Sequence, residues 1–331
     1  MKDQHLSRRK FLGTAVLAAA GIALTSKSGF GMPAYIKNLG KPNSMFNGVQ
    51  VGAITYSWRS LPDDAESVLK YAVNCNISAI ELMGNTAESF AGLPASPRTN
   101  GPWVKPADRT PEQKAAFAEA AKKAADWRAS VSMDKFETLR KMYKDAGVMI
   151  YAYKPNALSV NNTDAEIDYA LRAAKALGAS HVTVEMPEDP AQTQRLGKMA
   201  AKHGVYVAYH GHEQQTPTFW DQSMQQSDYN AMNLDMGHYT AAGYDALAEI
   251  KKYHQHIKSM HVKDRQNKAH GGANLPWGEG DTPIIQALQL MQKNKYTFPA
   301  TIELEYKIPE GSDAVKETIK CVEYARKALN A

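Results

Sequence analysis

The sequence predicts a single (β/α)₈ barrel, and three observations carry that expectation. Eight short β-rich runs alternate with about as many helical stretches, the pattern of a parallel α/β protein. Four of those runs end in a polar residue at near-constant spacing. Glu185, His210, Asp235 and His261 lie 25, 25 and 26 residues apart, about the length of one short βα unit. Without its N-terminal segment the 331-residue chain keeps a little under ~300 residues, which suits one large barrel better than two small domains. The runner-up is a doubly wound open sheet. Against it, no Gly-x-Gly-x-x-Gly follows the first strand, and no phosphate loop occurs anywhere.

Each element has its own signal. Residues 49–56 are a β-rich run that enters a loop at Ser57-Trp58-Arg59. Pro62-Asp63-Asp64 starts a helix whose stripe is Val68, Leu69, Ala72 and Val73. Residues 78–83 form the second strand, with Glu81 inside it and Gly84-Asn85 ending it. Residues 84–111, rich in Pro, Gly, Ser and Ala and containing Trp103, are expected to be a long catalytic-side loop. Long loops in compact domains are usually lids or substrate-binding segments. Residues 111–146 are helical, with Pro111 in the first turn and a break near 129–132.

Residues 148–153 are the third strand, which runs into Lys154-Pro155-Asn156. A helix at 163–177 is capped by Gly178, and one at 190–203 by Gly204. Between and after them come strands at 181–185 and 205–210. The stretch 211–228 is polar and aromatic and holds little helix. Strands at 229–235, 257–262 and 299–303 alternate with helices at 245–253, 283–293 and 313–329.

The strand ends carry the chemistry. Asp235 closes the sixth strand in Asn233-Leu234-Asp235-Met236-Gly237-His238, and His238 lies one turn on. A metal-binding carboxylate with an imidazole nearby is one reading; a helix N-cap is the other. In His261-Val262-Lys263-Asp264, alternation sends His261 and Lys263 to the same face. Lys263 there could stabilise oxyanion charge, or pair with Asp264 or Glu305. His210 and His212 flank Gly211, so one could bind metal and the other a sugar hydroxyl. Glu303 and Glu305 share a face, with Glu303 deeper and the better ligand or base. Glu185 is a ligand, a catalytic carboxylate or a supporting partner. Mixed carboxylate and imidazole donors suit a divalent ion such as Mn²⁺, Zn²⁺, Co²⁺ or Mg²⁺.

The order of these motifs resembles the sugar phosphate isomerase/epimerase superfamily with the xylose-isomerase-like barrel. Asp-x-x-His, His-Val-Lys-Asp and Ile-Glu occur in its sequence, and the similarity covers about residues 48–330. The resemblance implies a divalent metal held by Glu, Asp, His and Glu. On this chain those become Glu185, Asp235, His261 and Glu303. It also implies that His238 contacts substrate. The departure is His210, where ketose 3-epimerases carry a ligand glutamate; it moves the first carboxylate to Glu185 or makes His210 itself a ligand.

The expected activity is proton abstraction next to a carbonyl of a free or oxidised sugar, giving an isomer or epimer, with Glu185, Glu303 and Lys263 as catalytic groups. Lys154, His210, His212, His238, Glu305 and Trp103 are the expected substrate contacts. The alternative is elimination by a lyase or dehydratase acting on 3-keto-glycosides in the same site. A non-catalytic periplasmic sugar-binding protein is the competing class, but such proteins have two lobes and a hinge, and no duplication appears here.

The address comes from residues 1–34. Ser7-Arg8-Arg9-Lys10-Phe11-Leu12 followed by an apolar run at 13–24 reads as a twin-arginine export signal, too short to span a membrane. Periplasmic location is expected, with membrane anchoring if the signal is retained. This segment carries five basic residues against Asp3, so it holds +4 of the chain's net +5. The barrel, expected over 48–331, is therefore near neutral, which argues against nucleic acid and against a nuclease of the endonuclease IV type. A small carbohydrate is the expected partner, and self-association is left open. Cys75 and Cys321 are the only cysteines. Two separate buried thiols are expected, although an oxidising compartment allows them to pair.

Overall fold

The computed structural model of the protein describes residues 40–97 and 104–330. The expected export signal and Trp103 lie outside the described residues. The barrel strands are β1 Val49–Ile54, β2 Ala79–Met83, β3 Met149–Lys154, β4 His181–Glu185, β5 Tyr206–His210, β6 Asn230–Asp235, β7 Ile257–Val262 and β8 Ala300–Ile302. They pair in parallel in the order β1-β8-β7-β6-β5-β4-β3-β2, and β2 pairs back to β1. The barrel is therefore closed. An antiparallel two-residue strand, Met45–Phe46, precedes β1.

The helices are α1 Ala65–Asn74, α2 Gly84–Ala91, α3 Pro111–Ser130, α4 Asp134–Asp145, α5 Asp164–Leu177, α6 Pro190–His203, α7 Asp221–Gln226, α8 Met236–Ala241, α9 Ala246–Tyr253, α10 Ile284–Asn294 and α11 Ala314–Asn330. Local chemistry starts and stops them. Thr163 and Glu166 form a capping box on α5, and Gly178 ends it in the left-handed region. Asp189 and Pro190 open α6, and Gly204 closes it. Buried stripes such as Ile167, Ala170, Leu171 and Ala174 of α5 pack on the outside of the strands.

One expected loop is partly helical. Residues 84–91 form α2, so Gly84 begins a helix as well as ending a strand. A Cβ on Gly84 would stand 2.9 Å from the Lys154 carbonyl oxygen. Only glycine lets this helix start so close to the end of β3. Buried Glu88 of α2 then binds Arg128 at 2.8 Å, and Arg128 reaches Glu166 at 3.1 Å. That triad anchors α3, whose other side chains are exposed or half-buried. Both cysteines are free and buried, as expected for separate thiols.

Many residues inside the barrel are polar, and hydrogen bonds tie them in layers. His181 Nε2 meets Ser259 Oγ at 3.0 Å. Above it, the Tyr151 hydroxyl meets Thr301 Oγ1 at 2.6 Å. Gly52 leaves room for that tyrosine ring, since a Cβ there would lie 2.9 Å from it. The next layer is Glu81, and it brings the barrel up to its functional end.

Candidate metal centre and active-site mouth

Glu81 points from the middle of β2 into the barrel and is fully buried. A lone buried carboxylate is costly unless paired and hydrogen-bonded. Thr183 donates to it at 2.5 Å, and His261 Nε2 stands 2.8 Å away. The other ring nitrogen, His261 Nδ1, is 2.8 Å from Glu303 Oε2. Burial opposes charge on this imidazole, but Glu303 and Glu81 on either side raise its pKa to about 10. Burial also works to raise the Glu81 carboxyl, and His261 and Lys154 bring it below the ordinary range.

His210, Asp235, His261 and Glu303 form a buried group whose candidate ligand atoms all lie within 4.8 Å of one another. They come from the ends of β5, β6, β7 and β8, the face where barrel enzymes place their chemistry. Two of their buried atoms, His210 Nδ1 and Asp235 Oδ2, have no hydrogen-bond partner. Asp235 Oδ2 is 3.9 Å from both His210 Nε2 and His261 Nδ1. Two imidazoles and two carboxylates are a fitting donor set for a borderline or hard divalent ion. Glu81 behind His261 supplies the carboxylate–histidine arrangement that orients metal-binding imidazoles.

The helix-cap reading of Asp235 holds, and its second oxygen stays with the candidate metal group. Its Oδ1 caps α8 by accepting the His238 backbone N–H at 2.8 Å, while Oδ2 faces the cluster. Gly237 has a separate reason. A Cβ there would sit 2.2 Å from Lys263 Cγ, so glycine lets the lysine pass.

Lys263 is buried beside the cluster. Its Nζ is 2.9 Å from Asp235 Oδ2, 2.7 Å from Glu303 Oε2 and 2.7 Å from Glu305 Oε2. The contact with Asp235 is an ion pair, not a hydrogen bond. Burial opposes the ammonium charge, and the three carboxylates raise its pKa above the ordinary value. Burial would raise Glu303, but Lys263 and His261 hold it well below the carboxylate range. Glu305 lies nearer the rim, and His238 and Lys263 overcome its burial to bring it to about 2. Burial drives the His210 ring well below its ordinary pKa, helped by His261 and Lys154, so that ring is neutral.

One expected ligand stands elsewhere. Glu185 is level with His210 in the sheet, yet it is no part of the four-residue group. Its side chain is 49% exposed and binds Lys154 Nζ at 2.8 Å, with His212 Nε2 at 3.7 Å. The lysine at the end of the neighbouring strand draws it to the rim, and His210 takes the inner place. Lys154, His212 and Glu185 form one wall of the mouth. His238, Lys263, Glu305 and Arg265 form another. Beyond the first wall lies a mainly apolar groove of about 610 Å³, lined by Leu158, Val160, Val184, Met186 and Pro187, with Lys154 and Glu185 also in its lining.

Two predictions follow from this geometry. Glu185→Gln is expected to leave metal content unchanged, whereas loss of the ion from the purified variant would return Glu185 to the ligand set. Metal binding should release a proton, because His261 is charged below about pH 10 and only a lone pair can bind an ion. Affinity should then rise by about tenfold per pH unit between pH 7 and 9. Titration calorimetry in buffers of different ionisation enthalpy counts that proton, and a count of zero would contradict the assignment. The raised His261 pKa also has a sign for stability. In the metal-free protein its contribution is complete below about pH 6.5 and is lost as pH rises through about 10.

A closed eight-stranded barrel with a buried imidazole–carboxylate cluster at its C-terminal mouth defines a barrel protein with a candidate divalent-metal centre. The chain belongs to the xylose isomerase-like TIM barrel family, whose profile matches residues 115–325. An inosose dehydratase of Clostridium perfringens is 28% identical over 156 residues, 41% of this chain and 52% of the relative. The chain thus spans about half the length of the curated relatives it matches. Among solved structures, a sugar phosphate isomerase/epimerase from Parabacteroides distasonis aligns with a TM-score of 0.56 and 16% identity, covering 84% of this chain and 94% of that one. A 3-keto-D-glucoside 4-epimerase from E. coli gives 0.56 and 11%, covering 84% and 99%. At these identities the structural likenesses speak for the fold alone.

Proposed function

We propose that the protein is a divalent-metal-dependent lyase of keto-sugars, which removes the carbon-bound proton next to a carbonyl and expels the oxygen substituent β to it. The observation that carries this reading is the buried His210–Asp235–His261–Glu303 group with Lys263 against it. These four residues would hold the ion. When bound, a divalent ion supplies Lewis acidity, polarising a carbonyl and stabilising negative charge that develops on oxygen.

The chain's own groups do the rest. Glu303, ionised by its partners, takes the proton from carbon. Lys263 holds positive charge beside the developing oxyanion. The electron pair left on carbon forms a C=C bond as the β C–O bond breaks, and the departing oxygen takes up a proton. His210 favours elimination over epimerisation by two glutamates, because it stands where the second glutamate is required. The relatives named inosose dehydratases favour it too. The groove past Lys154 has room for a departing group, which favours a keto-glycoside over a free keto-sugar.

Epimerisation is the second reading, with His210 rather than a second glutamate as the partner of Glu303. Its Nδ1 is buried, unpartnered and neutral, so it could return a proton to the carbon. Metal analysis followed by incubation in D₂O with a panel of ketoses and keto-glycosides tests both. An ultraviolet-absorbing enone with release of the β oxygen substituent supports the lyase, and deuterium at the deprotonated carbon of an epimer supports the second reading. Neither an enone nor deuterium at carbon with any member would remove both.

We also propose twin-arginine export to the periplasm. Arg8→Lys with Arg9→Lys should block it, because lysine lacks the planar guanidinium fork. Normal periplasmic accumulation of the double variant would rule that route out.

A further inference from the structure

His238 and Arg265 meet in the wall of the mouth. His238 lies on α8, and Arg265 on the two-residue strand Asp264–Arg265 that follows β7. Arg265 Nη1 is 2.5 Å from His238 Nδ1. The guanidinium is fixed from its other side. Its Nε donates to the Gly272 carbonyl at 3.0 Å, Nη2 donates to the same oxygen, and Nη1 also meets Glu213.

A guanidinium has only donors and keeps its charge in proteins. The nitrogen facing it must therefore present a lone pair. In a neutral imidazole one nitrogen accepts and the other carries the proton, so the proton of His238 belongs on Nε2. That atom is buried and has no hydrogen-bond partner. Glu305 Oε2 is 3.5 Å from it and Asp235 Oδ2 is 4.0 Å, while Glu213 Oε1 lies 3.4 Å from Nδ1. The His212 and His210 rings flank it, with centroids 4.6 and 6.1 Å away.

We propose that Arg265 fixes the tautomer of His238, so that its Nε2–H is a standing hydrogen-bond donor to a carbonyl or hydroxyl oxygen of the substrate. The identity of that oxygen rests on the keto-sugar reading above; the tautomer does not. Two consequences follow from the same contact. His238 holds an oxygen but does not transfer a proton. Loss of its one ring proton would leave an imidazolate, and a second proton on Nδ1 would press donor against donor. The ring is also a poor metal ligand, although His210, His212 and His238 lie close enough to hold an ion. With Nδ1 facing Arg265 and Nε2 protonated, it offers no free lone pair.

The test is two-bond ¹H–¹⁵N spectroscopy of histidine-labelled full-length protein, with His238 assigned by its loss in His238→Gln. The expected result is a neutral ring protonated at Nε2. A ring protonated at Nδ1, or at both nitrogens, overturns the proposal. Arg265→Met should shift His238 to a mixture of tautomers, and Arg265→Lys, which also only donates, should restore the single one. A pure Nε2–H ring in a folded Arg265→Met protein overturns it as well. If that variant does not fold, the parental spectrum and the lysine variant still decide. With a keto-sugar that turns over, His238→Ala and Arg265→Met should each lower kcat/KM by about tenfold, roughly one hydrogen bond. The double variant should be no worse than either single one, whereas additive losses would show that Arg265 does not act through His238. If no keto-sugar turns over, the functional reading fails while the spectrum still reports the tautomer.

Discussion

Asp235→Asn should give a folded protein that does not keep a divalent ion. The two oxygens of Asp235 have separate tasks. Oδ1 caps α8, and an asparagine oxygen caps a helix about as well. Oδ2 is buried without a hydrogen bond, at the centre of the candidate ligand set. The substitution therefore removes an anionic ligand and keeps the cap through its oxygen, while its NH₂ group faces the Lys263 ammonium, donor against donor. Loss of a merely supporting partner weakens metal sites by about 10- to 100-fold, so loss of a direct ligand should cost at least about 100-fold. Lys263 loses one carboxylate but keeps Glu303 and Glu305, each at 2.7 Å. Its buried charge stays compensated, and the expected loss of stability is only ~1–3 kcal/mol. Metal content after dialysis, with circular dichroism as the control for folding, gives the answer. Full occupancy in a folded Asp235→Asn protein would remove this cluster as the metal centre. His261→Gln should also lose the ion, at a higher cost in stability. Glu81 and Glu303 would then lose the cation they share, and breaking such a buried pair costs ~3–5 kcal/mol.

Strand ends were the legible part of this chain. The strands at 181–185 and 257–262 are where the alternation places them. Closure of the barrel then brings Asp235 level with His261 and sets His210 one strand away, as equal βα units require. The sharing of a face by His261 and Lys263, and the greater depth of Glu303 relative to Glu305, follow from the same period of two.

Glu185 shows the limit of that rule. A strand end fixes the height of a side chain but not which neighbour claims it, and Lys154 on the adjacent strand claims this one. Glu81 was hidden for another reason. It sits inside an apolar run, Ala79-Ile80-Glu81-Leu82-Met83, and its imidazole partner is 180 residues further on. A charged residue at the centre of a buried strand is itself the signal, because its cost demands a partner. Arg265 had no comparable signal, since its link to His238 depends on the path of the loop after β7. The helix at 84–91 was masked by its flanking glycines, which mark a close approach and a cap as well as a loop.

Glu303→Gln should stop turnover while Glu305→Gln only slows it. Both residues follow β8 and face the mouth, but the Glu303 side chain is 7% exposed and that of Glu305 is 22%. Glu303 Oε2 lies 2.8 Å from His261 Nδ1 and 2.7 Å from Lys263, and those cations keep it ionised through the neutral range. Of the two glutamates it is the one in the candidate ligand set, which makes it the better placed base. A glutamine amide can still accept from His261 but cannot take a proton. The expected loss is ~10²- to 10⁴-fold in turnover and in deuterium exchange at carbon, the usual contribution of a general base. Glu305 pairs with Lys263 and His238 at the rim, so its amide variant removes one charge from a network that keeps its other partners. A loss below about tenfold is expected there, the scale of a single hydrogen bond. Rates of solvent deuterium incorporation in the two variants, measured together with metal content, separate the roles. A Glu305→Gln protein more damaged than Glu303→Gln in both rate and metal content would exchange the two assignments and move the reacting carbon toward the rim.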